Sequence, residues 1–319
     1  MGSGAWSAAS FYDRAAAKRA AGVDTFDYSV KAKQSGRLRV HESLDPMGLT
    51  VRESRDNAEH PESNGIIISL DVTGSMGKVV RGIHRDLPRL HELLLGHKYL
   101  PDPQILFAAA GDATCDQVPL QVGQFESDNR MDQNLEHMIL EGGGGGQKSE
   151  SYELSLYVAA RHTALDCYEK RGRRGYLFII GDELAYPFVR RQHVHRLIGQ
   201  DPQVDIPLNQ IIAEAREKYH IFFVIPGGAA HGSDLEILNF WTHLLGEESV
   251  IKLAHPDQTS ESIAMAIGLT EGVITKPEAQ AALAGEGPIA KVLNSLKKLF
   301  GGKTSTNGGP HDVTGNRRL

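Results

Sequence analysis

Ile66-Ile67-Ile68-Ser69-Leu70 runs directly into Asp71-Val72-Thr73-Gly74-Ser75-Met76. The first five residues are mostly β-branched and uninterrupted by charge, the pattern of a strand buried on both faces. The next six place one carboxylate and two hydroxyls at alternate positions in a tight loop. Gly74 lets that loop turn closely. Residues 76–98 then read as helix, with Val79, Val80, Ile83, Leu87, Leu90 and Leu94 near one stripe, and Pro88 predicts a kink or a restart.

Outward from this unit the chain alternates. Gln104–Ala110 and Val118–Phe125 read as two strands joined by the polar turn Gly111-Asp112-Ala113-Thr114, hence a hairpin. Helices are expected over 128–140 and 151–168, the second preceded by the glycine run Gly142–Gly146. Strands at 176–180, 221–225 and 250–253 then alternate with helices at 207–218, 233–245 and 258–268. Apolar strands separated by helices predict a doubly wound α/β fold: a mainly parallel six-stranded sheet, covered on both faces, with an antiparallel edge strand. Residues 1–62 lack sustained periodicity and read as an extended, partly ordered arm with one short helix near Phe11–Ala21. After Gly272 come a linker, an amphipathic helix over 288–300 and a polar tail.

Parallel sheets bind ligands at the carboxyl ends of their strands. Asp71, Thr73 and Ser75 lie at such an end, and all are hard oxygen donors suited to Mg²⁺ or another hard divalent ion. The simpler alternative is that Asp71 or Ser75 only caps the following helix. Two other motifs fail. A phosphate-binding P-loop needs Ser or Thr after Gly77-Lys78, where Val79 stands. A phosphoaspartyl phosphatase would want a second Asp at position 73. No Gly-x-Ser-x-Gly elbow appears either.

Asp71-x-Thr73-x-Ser75, followed after the fourth expected strand by Gly181-Asp182-Glu183, resembles the von Willebrand factor A (vWA) domain and its metal-ion-dependent adhesion site. The resemblance covers about residues 64–270 and implies a vWA-like domain over 63–272 with a Rossmann-like fold. It implies Mg²⁺ (or Mn²⁺ or Ca²⁺) held by Asp71, Thr73, Ser75 and Asp182. The family's second loop usually supplies a Thr. Here Gln147, Ser149 or Glu150 stands in its place, and Ser149 keeps the hydroxyl. The implied activity is binding rather than catalysis: an open position on the ion takes a Glu or Asp of a partner protein. Intracellular relatives often serve in multiprotein assemblies, some beside AAA+ ATPases. The competing readings are a metal-dependent hydrolase built on Asp71 and Asp182, and an adaptor whose metal site has decayed.

Composition sets the outer bounds. Hydrophobic residues at 40% and charged residues at 23% are ordinary for a globular protein with a sizeable core. No apolar run approaches the roughly 20 residues that cross a bilayer, and the N-terminus has no apolar stretch of the secretory kind, so a cytoplasmic protein is expected. Two cysteines, Cys115 and Cys167, fit a reducing compartment. The net charge of −6 is uneven. Residues 1–62 are neutral, with nine basic and nine acidic side chains; residues 275–319 carry seven basic against three acidic, which leaves −10 for the middle. An acidic middle argues against nucleic acid and is compatible with a cation or a basic partner. Asp112 and Asp116 read as turn residues, and Glu183 as a neighbour of the metal site. His193 and His195 lack zinc-finger spacing, while His84 and His220 read as surface or strand-end residues.

Overall fold

A computed structural model of the chain describes residues 4–96, 98–142 and 148–274, and of Ser75 the backbone alone. Six strands form the central sheet: β1 (Asn64–Asp71), β2 (Pro103–Ala110), β3 (Leu120–Val122), β4 (Gly175–Ile180), β5 (Tyr219–Ile225) and β6 (Val250–Lys252). Their order is β6-β5-β4-β1-β2-β3, parallel throughout except for the β2–β3 pair at one edge. The expected mainly parallel sheet with one antiparallel edge strand is thus present.

Every residue of β1, β2 and β4 is buried, and the period of two explains how. Ile66, Ile68 and Leu70 join Phe107, Phe178 and Val224 in a core on one face. Ile67 joins Leu106, Leu177, Ile179 and Phe223 in a core on the other. Helices Gly77–Arg85, Leu87–His91 and Thr259–Thr270 contribute to the first core, and Tyr152–Arg161, Leu208–Lys218 and Leu235–Leu245 to the second. Ser69, the polar member of the β1 run, bonds Ser155 Oγ at 2.7 Å on the second face.

Several elements differ from expectation. The single helix foreseen over 76–98 ends at Arg85, restarts with Pro88 in its first turn, and finishes in a π turn, Glu92–Gly96. This is the restart that Pro88 predicts. The helix foreseen over 151–168 stops at Arg161. Thr163–Leu165 then pairs in parallel with Arg52–Ser54, before a short helix Asp166–Glu169. The helix foreseen over 128–140 is shorter, Arg130–Glu136. Residues 191–198, for which no helix was expected, form one that buries His193, Val194 and Ile198.

The N-terminal arm carries the short helix expected near Phe11–Ala21, as Ala8–Ala20, and a second that was not expected, Asp27–Gln34, both laid on the first core. Phe11, Phe26 and Leu44 are buried there. Arg14 pairs with Asp132, and Lys18 with Glu136 at 2.7 Å. Helix Ala8–Ala20 buries only Phe11, so one aromatic and a few charges hold it, and that leaves no apolar stripe to read. His84 also departs from the expected surface position. It is buried, bonds Glu136 Oε1 at 3.1 Å, and lies against Phe11 and Phe26.

Among the described residues no helix is long and apolar enough to cross a membrane. Cys115 is exposed and Cys167 buried, and both are free. The amphipathic helix expected over 288–300 and the tail after it lie outside the described residues.

Candidate functional site

The chain enters the sheet at β1, runs outward through β2 and β3, then returns to the other side of β1 as β4 and continues outward through β5 and β6. The winding direction therefore reverses between β1 and β4. In open α/β sheets the crevice beyond the carboxyl ends of two such strands is where ligands bind. Asp71 is the last residue of β1, and Asp182 follows the end of β4 at Ile180. The two expected carboxylates therefore flank the switch point.

Asp71 is 1% exposed. Its Oδ1 accepts from the Thr73 amide at 2.8 Å and the Thr73 hydroxyl at 2.6 Å. Its Oδ2 accepts from the Tyr152 hydroxyl at 2.7 Å. Burial raises the Asp71 pKa to about 6, with the charge of Asp182 adding to the rise; the Thr73 and Tyr152 bonds work against it. Asp182, also buried, accepts from the His231 amide at 2.7 Å. Gly181 explains how the two loops come close. A Cβ there would lie 2.1 Å from the Tyr152 hydroxyl, so only glycine lets the β4 loop pass over the group bound to Asp71.

Ser75 falls in the 3₁₀ turn Gly74–Met76, and its side chain lies outside the described residues. Gly143–Gln147 are likewise outside them. Ser149 and Glu150 form a short strand parallel to Leu184–Ala185. Successive residues on a strand face opposite ways. Ser149 is half-buried, with no hydrogen bond to Asp71 or Asp182. Glu150 is 2% exposed, and its Oε2 is buried with no partner among the described residues. Burial first, then the charges of Asp71, Glu183, Asp116 and Asp112, push its pKa up to about 10. Glu183 is similar: its Oε2 is buried with no partner among the described residues, and burial with Asp71 and Asp182 nearby raises its pKa to about 7. Lys148 turns its ammonium to Asp234 at 2.6 Å and to Glu236 at 3.6 Å.

Asp112 and Asp116 are the turn residues expected. Asp112 accepts from the Thr114 amide and hydroxyl and from the Tyr186 hydroxyl, and Asp116 accepts from the Asp112 amide. Their charges nonetheless reach Glu150 and Glu183.

The donor set bears directly on a cation. The Thr73 hydroxyl gives its proton to Asp71 and so keeps its lone pairs for another partner. One buried carboxyl oxygen on each of Glu150 and Glu183 has no hydrogen-bond partner among the described residues. A hard divalent ion satisfies both conditions. Among the described residues, no three His, Cys, Asp or Glu side chains converge closely enough to hold a metal by themselves. An ion here would rest on Asp71, Asp182, hydroxyl oxygens and water, the donor mixture Mg²⁺ accepts. Sequence reasoning missed Tyr152, because a tyrosine opening an apolar helix reads as core.

No family model and no curated protein matches the chain. Among solved structures it is similar to the pilus adhesin SpaC from Lactobacillus rhamnosus GG in its open conformation, with a TM-score of 0.42 and 8% identity. That match covers 68% of this chain and 31% of the adhesin. It is also similar to proximal thread matrix protein 1 from the mussel byssus, with a TM-score of 0.41 and 10% identity, over 72% of this chain and 47% of that one. The chain thus spans less than half of either protein, and likeness of this degree says nothing of function.

Proposed function

We propose that the sheet end between β1 and β4 holds a hard divalent cation, Mg²⁺ or Mn²⁺ or Ca²⁺, and through it captures a Glu or Asp side chain of a protein partner. The observation that carries this is that the charges of Asp71 and Asp182 reach Glu183, and that of Asp71 reaches Glu150, while each Glu has a buried carboxyl oxygen with no hydrogen-bond partner among the described residues. Burying carboxylates together without a compensating charge is costly; in the metal-free chain protons offset that cost, and a bound divalent ion would offset it in their place. The vWA-like spacing of Asp71, Thr73, Ser75 and Asp182 points to the same chemistry. Asp71, Asp182 and the Thr73 hydroxyl would hold the ion, with Ser75 and either Ser149 or Glu150 completing the set. Such an ion keeps a position for an incoming carboxylate because few protein charges neutralise it. A partner standing beside an AAA+ ATPase is one setting for such a module. The vWA-like spacing favours binding over hydrolysis.

A second reading has its own support. Both Asp71 oxygens already accept internal hydrogen bonds, and Tyr152 holds one of them. A site so satisfied is also what an adaptor that has abandoned its metal would keep.

Capture of partners by the full chain in Mg²⁺, in chelator, and with Asp71→Asn separates these readings. Metal-dependent capture recovers partners only in Mg²⁺ and only with Asp71. The same partners in all three conditions would support the metal-free adaptor and exclude the cation reading.

A further inference from the structure

Helix Arg191–Ile198 carries a dense positive charge beside the Asp112 turn. Arg190, Arg191, His193, His195 and Arg196 fall within seven consecutive residues, without an acidic residue among them. Two of these are committed: Arg190 pairs with Asp205 at 2.8 Å, and His195 with Asp201 at 2.6 Å. Arg196 is exposed and donates one N–H to the Ala113 carbonyl, and it has no acidic partner among the described residues. Its remaining N–H groups are therefore available.

Between this helix and the turn lies a cleft of about 390 Å³ lined by Ala113, Thr114, Gln192, His193 and Arg196. His193 is only 9% exposed, and its Nδ1 is buried with no hydrogen-bond partner among the described residues. Nδ1 is enclosed, so the ring meets the cleft through its other edge, beside the Arg196 guanidinium, and offers a polar ligand its second nitrogen. We propose that this cleft binds an oxyanion, a carboxylate or phosphate group, between the Arg196 guanidinium and the His193 ring.

The chemistry favours this class. A guanidinium offers parallel N–H groups that match two oxygens of a carboxylate or phosphate. The Gln192 amide adds a donor. The nearby carboxylate of Asp112 is occupied by Thr114 and Tyr186 rather than turned loose on the cleft. Burial lowers the His193 pKa, and Arg196 and Arg190 lower it further, against the opposing pull of Asp112 and Asp205. The cleft stands apart from the cation reading but lies at the same end of the sheet. Ala110, which pairs with Asp71, ends the strand from which Ala113 and Thr114 follow.

The test is nuclear magnetic resonance of the histidine rings in the isotope-labelled full chain, in excess chelator and at constant ionic strength. Inorganic phosphate is titrated in one arm and glutarate in the other. The expected result is a saturable shift of the His193 ring with a dissociation constant of about 1–10 mM, in the weak range for a single small anion. Arg196→Gln should weaken it by about tenfold through loss of the charge-assisted bonds, while Arg191→Gln on the same helix leaves it unchanged. Saturation by glutarate alone assigns a carboxylate source, by phosphate alone a phosphate source, and by both a general oxyanion site. The proposal is overturned if neither anion shifts His193 saturably. It is also overturned if Arg196→Gln binds like the wild type, or if binding requires Mg²⁺ and Asp71. In that last case the anion sits on the ion and not in the cleft.

Discussion

Thr73 and Tyr152 divide the Asp71 carboxylate between them, and that division shows what a sequence can and cannot convey about a site. Thr73 was legible because its hydroxyl stands two residues beyond Asp71 in the same loop, a fixed local spacing. Tyr152 lies 81 residues away in sequence and meets Asp71 only because the sheet brings its helix there. Glu150 was one of three candidates in a glycine-rich loop, and only its pairing with Ala185 decides which way it faces. Its carboxyl yields a prediction. In the folded, metal-free protein its pKa stands near 10 against an ordinary 4.5. The folded state therefore keeps a proton that the unfolded chain releases. A raised value contributes stability that is complete below the unfolded pKa and is lost as pH rises toward the folded one. Glu150→Gln removes that loss. In chelator it should stabilise the protein by about 1–3 kcal/mol near pH 8 and by much less near pH 5. Urea titrations at the two pH values check this, and a destabilised variant at both would contradict the burial assigned to Glu150.

At the scale of elements, strands were legible and their neighbours less so. The β1 run announces burial on both faces by composition alone, and β4 and β5 repeat it. Of the two N-terminal helices only the first was foreseen, and their docking was not, because they dock through isolated anchors. Phe26 is one: it is 1% exposed, meets His84 edge-on, and lies under Arg81 at 5.0 Å. Phe26→Ala should cost about 3–5 kcal/mol, the usual range for a buried aromatic, while leaving cation binding intact. A melting curve with a cation titration reads both, and an unchanged melting temperature would show that these helices do not brace the domain. Asp56 anchors a different segment, the stretch that leads into β1, to residues 170 and 171. It accepts from Arg171 at 2.8 Å, the Ser63 hydroxyl at 2.7 Å and Lys170 at 3.2 Å. Although burial pushes its carboxyl up, these bonds hold it well below the usual carboxylate range. A lowered value contributes stability present above the unfolded pKa and lost as pH falls through the folded one. Asp56→Asn should therefore cost about 1–3 kcal/mol at neutral pH, with the gap closing in acid. A gap that persisted at low pH would mean the loss is steric rather than ionic.

Across the whole molecule, the strand order β6-β5-β4-β1-β2-β3 decides where chemistry can gather. It places the ends of β1 and β4 side by side at the switch point, and Asp71 and Asp182 with them. The order of strands along the chain hints at this arrangement, but the partner of each strand is a long-range fact that only the folded sheet supplies. The central claim is that this end takes a divalent cation. Calorimetric titration of the full chain with Mg²⁺ and with Mn²⁺, repeated on Asp71→Asn, tests it most directly. Asn at 71 can still accept from Thr73 through its carbonyl oxygen and donate its amide N–H to the Tyr152 oxygen, so the fold should hold while the charge is lost. The account predicts saturable binding near one ion per chain in the wild type, and loss of that binding in the variant. Absence of binding by either ion up to about 10 mM, or equal binding by the variant, would contradict it.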